Sequence, residues 1–325
     1  MNHSMRSADL PNGVTLQYVE QGDPEGVPVV LLHGASDSWR SYELVLPHLP
    51  GWIRAIAVSQ RGHGDASRPR TGYRTRDFAA DVAALLDALG IRQAVIVGHC
   101  MGGYVAQRFA IDYPDRARGL VLAATRSTWY DHPDIRALAA TVAGLEDPVD
   151  PAFVRELQLS TLAQPASPQY VDAVVTESLK LPARVWRSLF DECLSPEDPA
   201  PEFGRIGAPA LVVCGGCDSL ALDQQEGLAA AIPAAVLKTY PGAGHALHWE
   251  EPERFAAPLG TRALPRKHTA SVALTLGSRR PGDVGSSQRC PDVVGDMGKG
   301  PRLRGTPLPF HWRARRDSNS RPSGS

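Results

Sequence analysis

The sequence predicts an α/β fold in which a mostly parallel central sheet is flanked by helices and carries a helical cap insertion. Three observations lead there. Short continuous apolar runs of strand length recur along the chain, amphipathic stretches alternate with them, and between about 126 and 205 the alternation gives way to helices alone. With 325 residues, 43% hydrophobic and 21% charged, the chain can bury a large core, which excludes wholesale disorder, collagen and a coiled coil.

Residues 14–20 mix β-branched and aromatic side chains before Gly22-Asp23-Pro24, a strand closed by a turn. The run Pro28-Val29-Val30-Leu31-Leu32 is too short for a helix and fits a strand covered on both faces, as do 53–58, 94–97, 120–122 and 210–213. Residues 75–89 place Phe78, Val82, Leu85, Leu86 and Leu89 at helical spacing with Gly90 as a stop, and 101–113 form a second helix ended by Pro114. Four further helices are expected at 134–145, 151–162, 168–179 and 182–194, punctuated by prolines. Strand and helix resume at Pro209. The expected organisation is therefore a core of 1–125 and 206–260, a cap at 126–205, and a tail at 261–325.

The chemistry concentrates in Val97-Gly98-His99-Cys100-Met101-Gly102-Gly103, where a buried strand meets a helix. A nucleophile flanked by glycines at −2 and +2 can occupy a sharp turn that lifts its side chain above the sheet. The free N–H groups and dipole of the following helix favour a thiolate at Cys100. With His33-Gly34-Ala35 after one strand and Arg61-Gly62-His63-Gly64-Asp65 after the next, these motifs resemble the α/β-hydrolase superfamily over about 12–257. The resemblance is to its capped esterase and enol-lactonase branch, with a cysteine in the elbow as in dienelactone hydrolases.

What the resemblance implies is a triad of Cys100, Asp218 and His245, in the nucleophile-acid-base order of this fold. His245, in Tyr240-Pro241-Gly242-Ala243-Gly244-His245, takes the base position; His248 is read as a helix-start or surface residue. Asp218 takes the acid position, with Asp223 and Asp131 as weaker rivals. The oxyanion donors implied are the backbone N–H groups of Ala35 and Met101, with Ser36 an alternative to Ala35. A cysteine is a stronger nucleophile than a serine hydroxyl but also a better leaving group from the tetrahedral intermediate, so it suits lactones, enol esters and thioesters. An aspartate there would have pointed to dehalogenase or epoxide hydrolase chemistry. The expected function is hydrolysis of a carboxylic ester, lactone or thioester through an acyl-enzyme; the alternatives are an acyltransferase or a low-turnover ligand receptor.

Cys214-Gly215-Gly216-Cys217 has the spacing of a redox or zinc pair, but no second pair completes a zinc site, so neither metal nor cofactor is expected. Trp129, Tyr130, Phe153, Tyr170, Trp186 and Phe190 are candidates for an apolar pocket wall. Five cysteines argue against a disulfide scaffold, and the amino terminus shows neither secretory signal nor spanning helix, so a cytoplasmic location and no membrane partner are expected. The net charge of −1 averages −10 over 1–260 and +9 over 261–325. The basic tail lacks a dense charge block, so no nucleic-acid partner is expected; it reads as a product of frameshift or readthrough near residue 257. The partner is a small acyl substrate. The oligomeric state is unknown from the sequence.

Overall fold

The computed structural model describes residues 4–194 and 197–261. Among them eight strands form one sheet, β1 (Met5–Asp9), β2 (Thr15–Gly22), β3 (Val27–Leu32), β4 (Ile53–Ser59), β5 (Ala94–His99), β6 (Ala117–Ala123), β7 (Ala210–Gly215) and β8 (Ala235–Tyr240). Their order is β1-β2-β4-β3-β5-β6-β7-β8, with β1 and β2 antiparallel and every pairing from β4 to β8 parallel.

The continuous apolar runs are resolved by the period of two. Val30, Leu32, Ile56, Val58, Ile96, Leu120, Leu122 and Val212 join one buried cluster, whereas Val29, Leu31, Ala55, Ala57, Val97, Val121 and Leu211 join another on the opposite face. The first face is covered by α1 (Thr75–Ala88) and α2 (Met101–Asp112). The second is covered by a 3-10 turn at Trp39–Tyr42 and by the short helices that follow β8.

Between β6 and β7 the cap comprises α3 (Pro133–Ala143), α4 (Pro151–Ser160), α5 (Pro168–Ser178) and α6 (Ala183–Ser188), which continues into a π-helical turn at Leu189–Cys193. Two of these helices begin on proline: Pro151 and Pro168 occupy first-turn positions, where a missing N–H costs nothing, behind N-caps Asp150 and Ser167. The fold is completed by α7 (Gln225–Ala231), α8 (Leu247–Glu250) and α9 (Pro252–Ala256). No helix among the described residues is long and apolar enough to cross a membrane. Apart from Thr261, the tail at 261–325 lies outside the described residues.

Candidate active site

Cys100 stands at the junction of β5 and α2 with φ 51° and ψ −115°, a left-handed backbone that a cysteine adopts only under constraint from its surroundings. The constraint is visible. A Cβ on Gly98 would overlap the Gly102 carbonyl, and one on Gly102 would overlap the Leu32 carbonyl, so only glycines let β5, α2 and β3 approach this closely. The Cys100 N–H donates to the Ala123 carbonyl (2.9 Å), and the Cys100 carbonyl accepts from Thr125 Oγ1 (2.8 Å). The elbow is thus fastened to β6 and to the loop that follows it.

His245, in the loop after β8, donates from Nδ1 to both carboxylate oxygens of Asp218, each at 3.1 Å, and Cys100 is near enough to its ring to act on its charge. Asp218 is fixed by the turn after β7, where it accepts from the N–H groups of Leu220 (2.9 Å) and Ala221 (3.2 Å). Burial raises the carboxyl of Asp218, but the His245 charge and these donors outweigh it and hold its pKa below the ordinary value. Burial likewise disfavours a charged His245, yet Asp218 and then Cys100 hold it well above the usual histidine range. The rival acids are elsewhere. Asp223 and Asp131 are 64% and 57% exposed and pair with Arg126, whereas the Asp218 side chain is fully buried.

Around this line lie four more buried histidines, all pushed down by burial and so kept neutral. His99 donates from Nε2 to the His245 carbonyl (3.0 Å) and is pushed down to about 3 by burial and the neighbouring His245 charge. His33 donates from Nδ1 to the Gly34 carbonyl and accepts at Nε2 from the Gln60 N–H, which ties the loop after β3 to the loop after β4. His63 donates to the Arg61 carbonyl. His248, expected as a helix-start or surface residue, is the second residue of α8 and is fully buried, with Nε2 donating to Ser41 Oγ (2.9 Å).

Gly34 abuts Cys100: a Cβ there would lie 3.3 Å from the Cys100 Cβ and 3.0 Å from His99 Nδ1. Among the described residues, the N–H groups of Ala35 and Met101 have no backbone acceptor. Ala35 follows Gly34, and Met101 follows Cys100, so both open N–H groups belong to residues adjoining this close contact.

Sequence reasoning missed a polar group next to this loop. Asp37 is buried, accepts from Ser41 Oγ (3.1 Å) and from Gln158 Nε2 (2.9 Å), and is raised to about 6 by burial, which these hydrogen bonds only partly offset. The signal was the acid four residues after His33; nothing local announced that Gln158 of α4 would meet it.

Of the cap aromatics, Tyr130 is 57% exposed and lines nothing buried, whereas Trp129 sits edge-on to His245 with ring centroids 6.3 Å apart. Phe153 and Trp186 pack on each other, and Tyr170 donates its hydroxyl to the Arg40 carbonyl (2.9 Å), which are packing and docking roles. Cys214 is a free buried thiol donating to the Gly215 carbonyl and toward Asp218, and burial pushes its pKa far up.

A mostly parallel sheet with a strained elbow after its central strand, and a buried aspartate and histidine on the loops after its last two strands, is the arrangement of the α/β hydrolase fold. Residues 27–252 match the alpha/beta hydrolase fold family, and the chain belongs to that family. Epoxide hydrolase B of Mycobacterium tuberculosis is 43% identical over 102 residues, 30% of this chain and 29% of that protein, so the likeness spans under a third of the relative. The 2-(acetamidomethylene)succinate hydrolase of Mesorhizobium japonicum is 28% identical over 260 residues, 74% of this chain and 88% of that protein. The solved structure of a hydrolase from Pseudomonas aeruginosa PA01 superimposes with a TM-score of 0.70 at 27% identity, covering 78% of this chain and 96% of that one.

Proposed function

We propose that this protein hydrolyses an activated carboxylic ester, a lactone or a thioester through a covalent thioester on Cys100. The observation that carries the reading is His245 held between the carboxylate of Asp218 and the thiol of Cys100, with both neighbours favouring its charged form. In the step proposed, the Cys100 proton passes to His245, whose charged form Asp218 favours. The thiolate attacks the substrate carbonyl, the new S–C bond pushes the carbonyl electron pair onto oxygen, and the N–H groups of Ala35 and Met101 receive it. Collapse breaks the bond to the leaving oxygen or sulfur, which takes its proton from His245.

Acylation also resets the base. It removes the Cys100 anion, one of the two charges that hold His245 protonated, so the neutral imidazole needed to deprotonate water becomes easier to reach. Water then attacks the thioester, the thiolate leaves, and the carboxylic acid is released. The epoxide hydrolase likeness supports the fold of one part of the chain, while a cysteine in the nucleophile position supports acyl chemistry. Steady-state turnover of small lactones, aryl esters and thioesters, with and without added alcohols and amines, tests the reading. Hydrolysis independent of acceptor is expected; acceptor-dependent product would make the protein an acyltransferase, and tight binding without turnover a receptor.

A further inference from the structure

Resting on that reading, we propose that Gln158 and Asp37 are positioning residues through which the cap holds the oxyanion-receiving loop against Cys100. The loop 33–37 carries its own strain: Ser36 has φ +65°, a left-handed backbone that a serine keeps only when its surroundings impose it. The side-chain amide of Gln158, on cap helix α4, donates to Ser36 Oγ (3.3 Å), Asp37 Oδ1 (2.9 Å) and Ser178 Oγ (3.0 Å). One buried amide therefore joins α4, α5 and the two residues that follow Ala35. From the core side, Asp37 accepts from Ser41 Oγ, which in turn accepts from His248 Nε2 and from the Trp249 indole N–H. The loop is clamped between cap and core at the residues next to the candidate donor.

The clamp has a titratable member. Asp37 is raised to about 6, and the titratable groups around it are His245, Tyr42 and Tyr170 by charge, with His248 reached through Ser41. The Arg40–Glu177 pair, at 3.5 Å, brings opposite charges to the same region. Below about pH 6 Asp37 is protonated, and the charge that draws the Gln158 amide is lost. The clamp loosens as the pH falls.

The test is the burst of p-nitrophenol released from p-nitrophenyl acetate by the full chain, followed from pH 4.5 to 9 for wild type, Gln158→Leu and Asp37→Asn. Displacing an oxyanion donor by part of an ångström is expected to slow acylation by about 10- to 100-fold in Gln158→Leu, with KM changed far less. Asn keeps the acceptor for Gln158 but cannot ionise. Asp37→Asn is therefore expected to acylate within several-fold of wild type at neutral pH and to lose the inflection near pH 6 that Asp37 contributes. A wild-type rate and pH profile in both variants overturns the clamp while leaving the covalent mechanism standing. If Gln158→Leu does not fold, an unchanged profile in Asp37→Asn overturns it alone. Absence of any burst in wild type would remove the mechanism, and the clamp with it.

Discussion

Two aspartates sit at the carboxyl end of the same sheet, 1% and 3% exposed, and are driven in opposite directions. Asp218, on the loop after β7, faces the His245 imidazole and two backbone N–H groups, and its carboxyl is held below the ordinary value. Asp37, on the loop after β3, faces only neutral hydroxyl and amide donors at hydrogen-bond distance, and is raised to about 6. Burial is common to both. The difference is a nearby cation: where one is present the carboxylate stays charged and orients a base, and where none is in contact the charge is expensive and the residue can sense pH.

The largest expected effect comes from neutralising the first of the pair. In Asp218→Asn the imidazole loses its tautomer control and its main counter-charge, and the acylation rate is expected to fall by roughly 10³- to 10⁴-fold, read in pre-steady-state kinetics. Because Asp218 is what holds His245 above its usual range, the alkaline limb of the pH–rate profile should also move to lower pH. An unchanged limb would show that another group sets the charge of His245.

Crowding Cys100 comes next. Gly34→Ala brings a methyl to 3.3 Å from the Cys100 Cβ and 3.0 Å from His99, and is expected to slow acylation by about 10- to 100-fold while thermal unfolding shifts little. A full-rate Gly34→Ala enzyme would mean that the loop after β3 does not take part.

The stability contrast between the two acids follows from linkage, with opposite signs. The folded pKa of Asp37 lies above its unfolded value of 3.8, so the folded state holds an extra proton between about pH 4 and 6 and loses stability as pH rises through that window. Asp37→Asn removes this loss and is expected to gain on the order of 2 kcal/mol at pH 7, with little gain at pH 4, in denaturant unfolding. For Asp218 the folded pKa is depressed, so its contribution is present above the unfolded value and fades as pH falls. Asp218→Asn should cost stability at neutral pH and progressively less in acid. Equal pH dependence in the two variants would erase the contrast.

The smallest effect is expected from Asp223→Ala. That carboxylate is 64% exposed on its pair with Arg126, and the change should alter stability by about 1 kcal/mol or less and leave the acylation rate within a few-fold. A large loss would move the acid away from Asp218.

The strands and helices were legible because their signals are local. Alternate burial across two faces turns 28–32, 53–58, 94–97, 120–122 and 210–213 into unbroken apolar runs, and the cap helices announce themselves through Pro151 and Pro168 behind a capping side chain. The short edge strand β1 carried no such signal, since four of its five residues are exposed. At the site, motif and order point to Cys100, Asp218 and His245; the structure hydrogen-bonds His245 to Asp218 and sets Cys100 near enough to act on the His245 charge. His248 and Gln158 could not. Their environments are made by contacts 207 and 121 residues away along the chain, and no local pattern encodes which hydroxyl or carboxylate a buried polar side chain will meet.

The central claim is that Cys100 becomes acylated. Intact-protein mass spectrometry after brief mixing with p-nitrophenyl acetate at low pH quench should show one acetyl group on wild type, located to the peptide bearing Cys100 and absent from Cys100→Ala. Turnover of the ester with no such adduct, or an adduct that persists in Cys100→Ala, would contradict it.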